Sequence, residues 1–398
     1  MSRIETISTR GIYSDLLRYM RDQGHDIWVV SPRERSLEMP TGMKAVDDIH
    51  ILGVRTLNLQ KTNVIEKGVG QLLVEYQYRK AIHSHLKNIH FDLILYSTPP
   101  ITFPAAIQYA KQRSPKAKTY LLLKDIFPQN AIDIGMMSKS GVKGLLYRYF
   151  RRKEKKLYSL SDYIGCMSPA NVEYLLKHNP EVSKEKVEIA PNSVDLKLNV
   201  NNSGNHYETL VIKEKYKLPV DKPIFIYGGN LGKPQGIPFL IECLDANGNR
   251  EDCHFVVIGN GTEFFKMQKW YEDRKPKSVT LMERLPKADY DRLVASCDVG
   301  LIFLDYRFTI PNFPSRLLPY LENKMPIIAA TDPNSDTGKI AEENGFGFWC
   351  ESNSVGAFTA VLDKMIISDR EEMGRKGYGF LCKNYLVQNT YEVIMSHV

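Results

Sequence analysis

An apolar run that breaks into glycines constrains this chain most. In Ile224-Phe-Ile-Tyr-Gly-Gly-Asn-Leu-Gly-Lys-Pro-Gln-Gly-Ile-Pro-Phe239, the residues from Pro223 to Tyr227 read as a buried parallel strand. Gly228, Gly229, Gly232 and Gly236 then form a turn, and Ile237, Leu240, Ile241 and Leu244 recur at helical spacing. Strand, glycine turn and helix in this order is how α/β proteins build a phosphate site. Glycine lets backbone N–H groups approach the ligand, and the helix N-terminus favours negative charge. The same residues also suit a βα turn that needs glycine for geometry alone, and the turn by itself does not choose between the two.

A second segment repeats the design. Pro326-Ile-Ile-Ala-Ala330 is another buried-strand pattern. The pattern predicts a helix before it over Phe313–Glu322, opened by Pro314, and after it the turn Thr331-Asp-Pro-Asn-Ser-Asp-Thr-Gly338 with a helix over 339–344. In a doubly wound sheet both turns face the carboxyl edge, where ligands bind. The order Gly228-Gly-Asn-Leu-Gly-Lys-x-x-Gly236, then Val257-Ile-Gly-Asn-Gly-Thr-Glu263, then Phe313-Pro-Ser-Arg316 before a strand resembles the nucleotide-sugar domain of glycosyltransferase family 4. The nearest likeness is to bacterial enzymes that assemble capsule or O-antigen repeat units, and it runs through nearly the whole chain.

The resemblance implies an α/β fold of GT-B type, two Rossmann-like βα domains facing each other across a cleft. The C-terminal domain would hold a nucleotide sugar, most simply UDP-linked, and the N-terminal domain an acceptor. On this likeness Gly228, Gly229, Asn230, Gly232, Gly259, Glu283, Arg284, Ser315, Glu322 and Gly338 would contact the donor. Lys233 and Arg316 would supply positive charge to the departing diphosphate. Asp125, in Lys124-Asp-Ile-Phe-Pro128, would accept a proton from the acceptor or orient its hydroxyl; the same Asp could simply cap its loop. The chain also departs from the family. The family's two glutamates, eight residues apart, fall here on Pro311 and Pro319, and the usual Arg and Lys of the glycine turn are Asn230 and Gln235. Lys233 and Arg316 would then compensate.

The first half alternates strand and helix signals in the same way. Helices are predicted over 12–23, 69–86 and from about 101 to Gln112, and strands over 26–31, 50–54, 92–96, 119–123, 163–167 and 187–190. Such a βα repeat means a parallel sheet. The expected domains are 1–195, binding the acceptor, and 223–380, binding the nucleotide sugar. A polar linker over 196–222 would join them, and a C-terminal helix from about 381 to 398 would return to the first domain. One element is missing. The chain reaches a helix by Tyr13 with no apolar strand before it, so either it begins late or Arg3 to Ser8 is a degenerate first strand. Losing that strand would leave the middle of the sheet unpaired.

At 398 residues, two domains are the default. No run of eighteen apolar residues suggests a membrane-spanning helix, and no secretory signal is visible. The six cysteines (166, 243, 253, 297, 350 and 382) are scattered, which argues for reduced thiols in a cytoplasmic protein and against a zinc site. The formal charge of +7 is uneven. Between Lys139 and Lys156 stand eight Lys or Arg and one acid, Glu154, with Val142, Leu145, Leu146, Tyr149 and Phe150 near one helical face. A helix of this kind can lie on an anionic membrane surface at the inner face of the cytoplasmic membrane, or its stripe can pack on the sheet while its charges face water. No nucleic-acid motif accompanies the charge.

Transfer without a metal is expected. The sole Asp-x-Asp pair, Asp289 and Asp291, sits where Pro286-Lys-Ala-Asp-Tyr-Asp opens a helix, so capping accounts for it better than metal binding. Taken with the resemblance, which alone implies the stereochemistry, these features predict a retaining, metal-independent glycosyltransferase with a lipid-linked saccharide acceptor and no cofactor beyond its donor. The alternatives are a degenerate partner that binds a nucleotide sugar without turnover, supported by the lost glutamates and first strand, and a nucleotide-sugar epimerase of the same fold.

Overall fold

The computed structural model describes residues 3–58, 64–199 and 206–398. The chain divides into two units, 1–195 with 386–398, and 196–385. The first unit opens with α1 (Ile12–Asp22), β1 (Trp28–Glu34), β2 (Gly42–Val46), β3 (Ile49–Thr56) and α2 (Val64–Leu86). It continues through β4 (Leu93–Ser97), α3 (Pro104–Arg113), β5 (Lys118–Leu123), α4 (Gln129–Asp133), α5 (Gly141–Leu160), β6 (Tyr163–Cys166), α6 (Pro169–His178) and β7 (Val187–Ile189).

These strands make two sheets, ordered β1-β3-β2 and β4-β5-β6-β7. Among the described residues no ladder joins β1 to β4, and Arg3 to Ser8 form no strand. The segment is instead a strap tied to the β2–β3 turn. That turn is a two-residue hairpin through Asp47 and Asp48, whose φ angles of 55° and 57° are those of a type I′ turn. The Asp47 carboxylate accepts hydrogen bonds from the Thr6 hydroxyl, from Ile7 N at 2.9 Å and from Ser8 Oγ at 2.9 Å. These bonds, the one from Thr6 foremost, hold it down at about 2. Farther along, Ile4 N donates to Ser31 Oγ of β1 at 2.9 Å. The strap's Ile7 is fully buried among Leu16, Ile49, Ile51, Tyr120 and Leu122. Side chains from both sheets thus share one core although their backbones do not pair.

On the second sheet's far side, α5 presents two faces. Phe150, Leu157 and Tyr158 point inward, and Glu154 is buried with them, bonded by Arg151 and by the Tyr158 hydroxyl at 2.7 Å. The apolar stripe predicted to lie together is divided: Phe150 packs in the core, while Val142 is 85% exposed, Leu145 61% and Leu146 46%. Lys139, Lys143, Arg148, Arg152 and Lys156 are exposed beside them. No described helix is long and apolar enough to cross a membrane.

The second unit holds α7 (His206–Lys215), β8 (Ile224–Asn230), α8 (Ile237–Asn247), β9 (His254–Asn260), α9 (Phe264–Arg274) and β10 (Val279–Met282). Then follow α10 (Lys287–Ala295), β11 (Val299–Phe303), α11 (Leu317–Glu322), β12 (Ile327–Thr331), α12 (Thr337–Glu343), β13 (Gly347–Glu351), α13 (Val355–Ile367) and α14 (Arg370–Asn384). All six strands are parallel, in the order β10-β9-β8-β11-β12-β13. Counted from β8 this is 3-2-1-4-5-6, the Rossmann order, with its switch point between β8 and β11. Both faces are covered, which is why Phe225, Tyr227, Phe255, Val257, Leu301 and Phe303 are buried with their neighbours and the strands read as continuous apolar runs.

Three boundaries differ from expectation. The polar segment after residue 195 is more than a linker: Ile212 of α7 and Leu218 are buried, and Lys215 meets Asp289 of α10 at 3.4 Å. The helix expected from Phe313 begins only at Leu317. Phe313 and Pro314 stay extended, with Phe313 against Tyr385 at 5.9 Å and Asn312 N donating to Ser335 Oγ at 3.2 Å, contacts that an earlier helix would break. The last helix is two helices. After α14 the chain turns at Tyr385 and Leu386 into α15 (Val387–Met395), which belongs to the first unit. There Leu386 bridges to Val194, His25 meets the Tyr391 hydroxyl at 2.9 Å, and Ile394 is fully buried.

Candidate functional site

The carboxyl end of β8 lies at the switch point. Gly229 and Gly259 face each other there in register on β8 and β9, with φ angles of 125° and 153°. A Cβ on Gly259 would fall 1.8 Å from the Gly229 carbonyl oxygen, so the glycine is required for the strands to close on one another. A Cβ on Gly228 would meet the Tyr290 hydroxyl at 2.1 Å. Beyond this pinch Gly229 and Asn230 are exposed, and the Asn230 amide donates to Gln235 Oε1 at 3.0 Å across Gly232. Lys233 is exposed on the same turn.

Arg316 directly precedes α11, close to this turn. Its guanidinium lies over the Tyr227 ring, 4.4 Å from the centroid, and its Nη2 comes within 3.6 Å of where a Cβ on Gly229 would stand. Tyr290 and Tyr320 also surround it. Nη1 is buried and has no hydrogen-bond partner. A buried donor without an acceptor costs about 1–3 kcal/mol, more when charged, so this nitrogen is a candidate contact for an anion.

Tyr320 explains why the strands part here. β8 and β11 pair only at Phe225–Val299 and Ile226–Gly300. Past that point the Tyr320 hydroxyl fills the gap, accepting from Gly228 N at 3.3 Å and donating to Ile226 O at 3.1 Å. Gly300 makes room, because a Cβ would lie 2.3 Å from the Tyr320 ring. Sequence reasoning missed Tyr227, Tyr290 and Tyr320. The available signal was local: Tyr227 directly precedes the glycines, and Tyr320 stands four residues past Arg316, on the same side of a helix.

The structure therefore gathers Gly228, Gly229, Asn230, Gly232, Lys233, Gly259 and Arg316. It spreads the other sequence-predicted contacts. Glu283 and Arg284 are exposed beyond β10, at the sheet edge. Ser315 is exposed beside Arg316, whereas Glu322 ends α11 near Tyr378 of α14. Gly338 lies at the start of α12, where a Cβ would meet the Trp349 ring at 2.1 Å, so close packing accounts for that glycine. The neighbouring loop is held by Asp332, which accepts from Asn334 N, Ser335 N and Ser335 Oγ at 2.9, 2.9 and 3.0 Å and is pushed up to about 6 by burial. Asp291 is paired with Lys287 at 2.9 Å and Asp289 with Lys215 at 3.4 Å, so lysines engage both carboxylates of the Asp-x-Asp pair.

Asp125 lies in the first unit, just past β5. Its backbone is clamped to Thr98 Oγ1, which accepts from Asp125 N at 3.3 Å and donates to Asp125 O at 3.0 Å. Burial pushes its carboxyl up to about 6, against the lowering effect of the Asn130 amide at 2.8 Å. A carboxyl so placed can exchange a proton near neutral pH.

Comparison with known proteins agrees with this architecture. Residues 13–198 match Glycosyltransferase Family 4, and residues 209–380 match Glycosyl transferases group 1. The chain belongs to glycosyltransferase family 4. Among curated relatives, WbjE of Pseudomonas aeruginosa, assigned as a probable glycosyltransferase, is 24% identical over 82% of this chain and 78% of its own length. WcaI of Escherichia coli, assigned as a glycosyl transferase of colanic acid biosynthesis, is 23% identical over 42% of this chain and 41% of its own. Solved structures share the GT-B fold at low identity. Sucrose-phosphate synthase of Thermosynechococcus elongatus superposes with a TM-score of 0.74 and 13% identity, covering 99% of this chain and 94% of that one. HepE of Anabaena, solved with UDP and glucose, gives 0.69 and 12%, covering 97% and 94%. This family 4 chain is thus a glycosyltransferase.

Proposed function

We propose that the protein transfers a sugar from a UDP-linked donor to a lipid-linked saccharide in surface polysaccharide synthesis, with retention and without a metal. One observation carries the donor half: the unpartnered, buried Nη1 of Arg316 close to the glycine turn at the switch point. A diphosphate is the anion that suits it, since exposed Lys233 can reach toward the same group and backbone N–H groups border it. HepE was solved with UDP, and a trehalose-6-phosphate protein of Escherichia coli with UDP-2-fluoro glucose, which supports uridine. WcaI's assignment to colanic acid biosynthesis supports a surface polysaccharide as product.

The cationic residues would stabilise charge on the leaving diphosphate, the role a metal fills elsewhere. Lysine pairing of Asp289 and Asp291 supports a metal-free reading. On the acceptor side Asp125 would take the proton or fix the hydroxyl that attacks. The exposed apolar and basic face of α5 suits an anionic bilayer, where a lipid-linked acceptor is presented: Val142, Leu145 and Leu146, with exposed Met136 before the helix, would enter the headgroup region and the cations would meet lipid phosphates.

The test is a panel of nucleotide sugars with purified protein, read as released nucleoside diphosphate, with and without EDTA. Proton NMR of the product's anomeric centre reports stereochemistry. Turnover with UDP-sugars that survives EDTA and retains the anomeric configuration is expected. Activity lost with EDTA and restored by manganese, or an inverted product, refutes the corresponding part.

A further inference from the structure

A recess in the first unit combines features that point to a second ligand group. It is small and open to solvent, at the carboxyl edge of the sheet, between Ile12 and Tyr13 of α1, Lys124 just past β5, and Asn192 and Ser193 past β7. At the start of α1 no side chain caps the first turn, where the Gly11 N–H donates to Asp15 Oδ1 at 3.1 Å and Arg18 neutralises that carboxylate at 2.6 Å, which leaves the next N–H groups of the turn without an intrahelical acceptor. Tyr13 is held as a wall by Ser97, whose hydroxyl donates to the Tyr13 oxygen at 3.0 Å. Lys124 Nζ makes a single hydrogen bond, to Ala190 O at 3.1 Å, and no carboxylate is paired with it among the described residues. Asn192 is only 8% exposed, and its amide oxygen has no hydrogen-bond partner.

Each feature asks for something different. A lysine bonded only to a carbonyl keeps two N–H donors for an anion, and a helix start adds positive potential in the same place. A buried amide oxygen without a donor is costly and calls for a hydroxyl. An anion flanked by a hydroxyl is the end of a charged saccharide, either a sugar phosphate or a sugar carboxylate.

We propose that this recess binds the anionic end of the acceptor saccharide, with its phosphate or carboxylate on Lys124 and the start of α1 and an adjacent hydroxyl on the Asn192 oxygen. The proposal rests on the acceptor half of the transferase reading. Burial lowers the Lys124 amine to about 7, and a bound anion would favour its protonated form.

Trace acetylation of the whole protein, read lysine by lysine by mass spectrometry, tests this without any variant. UDP is added at saturation so that the donor site is filled, and exposed Lys143 serves as the internal reference. Inorganic pyrophosphate and glucuronate are the probes. Protection of Lys124 at least fivefold over Lys143 by pyrophosphate assigns a phosphate-bearing acceptor, and by glucuronate a carboxylate-bearing one. Protection by neither overturns the proposal. Asn192→Leu should raise the glucuronate concentration needed for protection about tenfold, and an unchanged requirement removes Asn192 from the site. Repeated without UDP, Arg316→Ala should leave Lys124 protection intact while weakening UDP binding, so failure here and failure of the donor reading are told apart.

Discussion

Replacing Arg316 tests the donor site most directly. Arg316→Ala removes the guanidinium whose buried Nη1 lacks a partner and which lies over the Tyr227 ring, 4.4 Å from its centroid. A charge-assisted hydrogen bond to a diphosphate is worth about 1.5–3 kcal/mol. Each 1.4 kcal/mol is tenfold, so the Kd for UDP should rise about 10- to 150-fold. Arg316→Lys should recover only part of this, because an ammonium carries the charge but neither the planar fork nor the stacking face that Tyr227 meets. Tyr227→Phe keeps that face and loses the hydrogen bond to Asn230 O at 2.8 Å. Its cost, about 1 kcal/mol, should appear in stability, with UDP affinity within about threefold of wild type. Calorimetric titration measures the affinities, and urea denaturation separates binding loss from unfolding. If Arg316→Ala folds normally and binds UDP within twofold of wild type, the orphan nitrogen is not a ligand contact and the donor assignment is wrong.

Three further outcomes are expected. Gly259→Ala drives a methyl into the Gly229 carbonyl, 1.8 Å away, and should destabilise the protein by about 1–3 kcal/mol or more, read by urea denaturation; a neutral result means the pinch is soft. Asp125 has a raised carboxyl, about 6 against 3.8, so its penalty is absent below pH 3.8 and complete above about 6. Asp125→Asn should therefore gain stability over wild type as pH rises from 4 to 7, by up to about 3 kcal/mol, and a pH-independent difference refutes the shift. Changing Val142, Leu145 and Leu146 to Ser, or neutralising Lys143, Arg148 and Arg152, should release the protein from anionic liposomes, at about 1 kcal/mol per cation. High salt should mimic the charge variant, and wild type that ignores such liposomes at low salt disproves the docking surface.

Much of the second unit was legible because its strands are buried on both faces and so appear as unbroken apolar runs ending in glycine. The rest failed for identifiable reasons. β2, Gly42-Met-Lys-Ala-Val46, is a half-exposed edge strand with little β-branched content, and its hairpin turn is Asp-Asp rather than a glycine pair. On α5, helical spacing grouped Val142, Leu145 and Leu146 correctly but could not say which side faces the sheet, and Phe150 turned the other way. The aromatic surround of Arg316 was legible only in part: Tyr227 and Tyr320 carried local signals, but Tyr290 joins them only when β8, α10 and α11 converge. Gly259 and Gly338 each meet a packing need that the sequence did not show: a Cβ would strike the neighbouring strand at the first and Trp349 at the second.

The return of α15 sets an order of assembly. Val387 and Ile394 are almost completely buried in the first unit's core, each worth about 1.5–3 kcal/mol, yet they follow all of the second unit in the chain. A nascent chain on the ribosome can fold its amino-terminal domain early only if that domain is contiguous. Here residues 1–195 emerge with Tyr19 and Ala190 still lacking their α15 partners, and must wait until the whole second unit has been translated. Until then the first unit is an unfinished intermediate with an open apolar groove, which makes it a client for chaperones during synthesis and makes a fragment cut at residue 195 prone to aggregate.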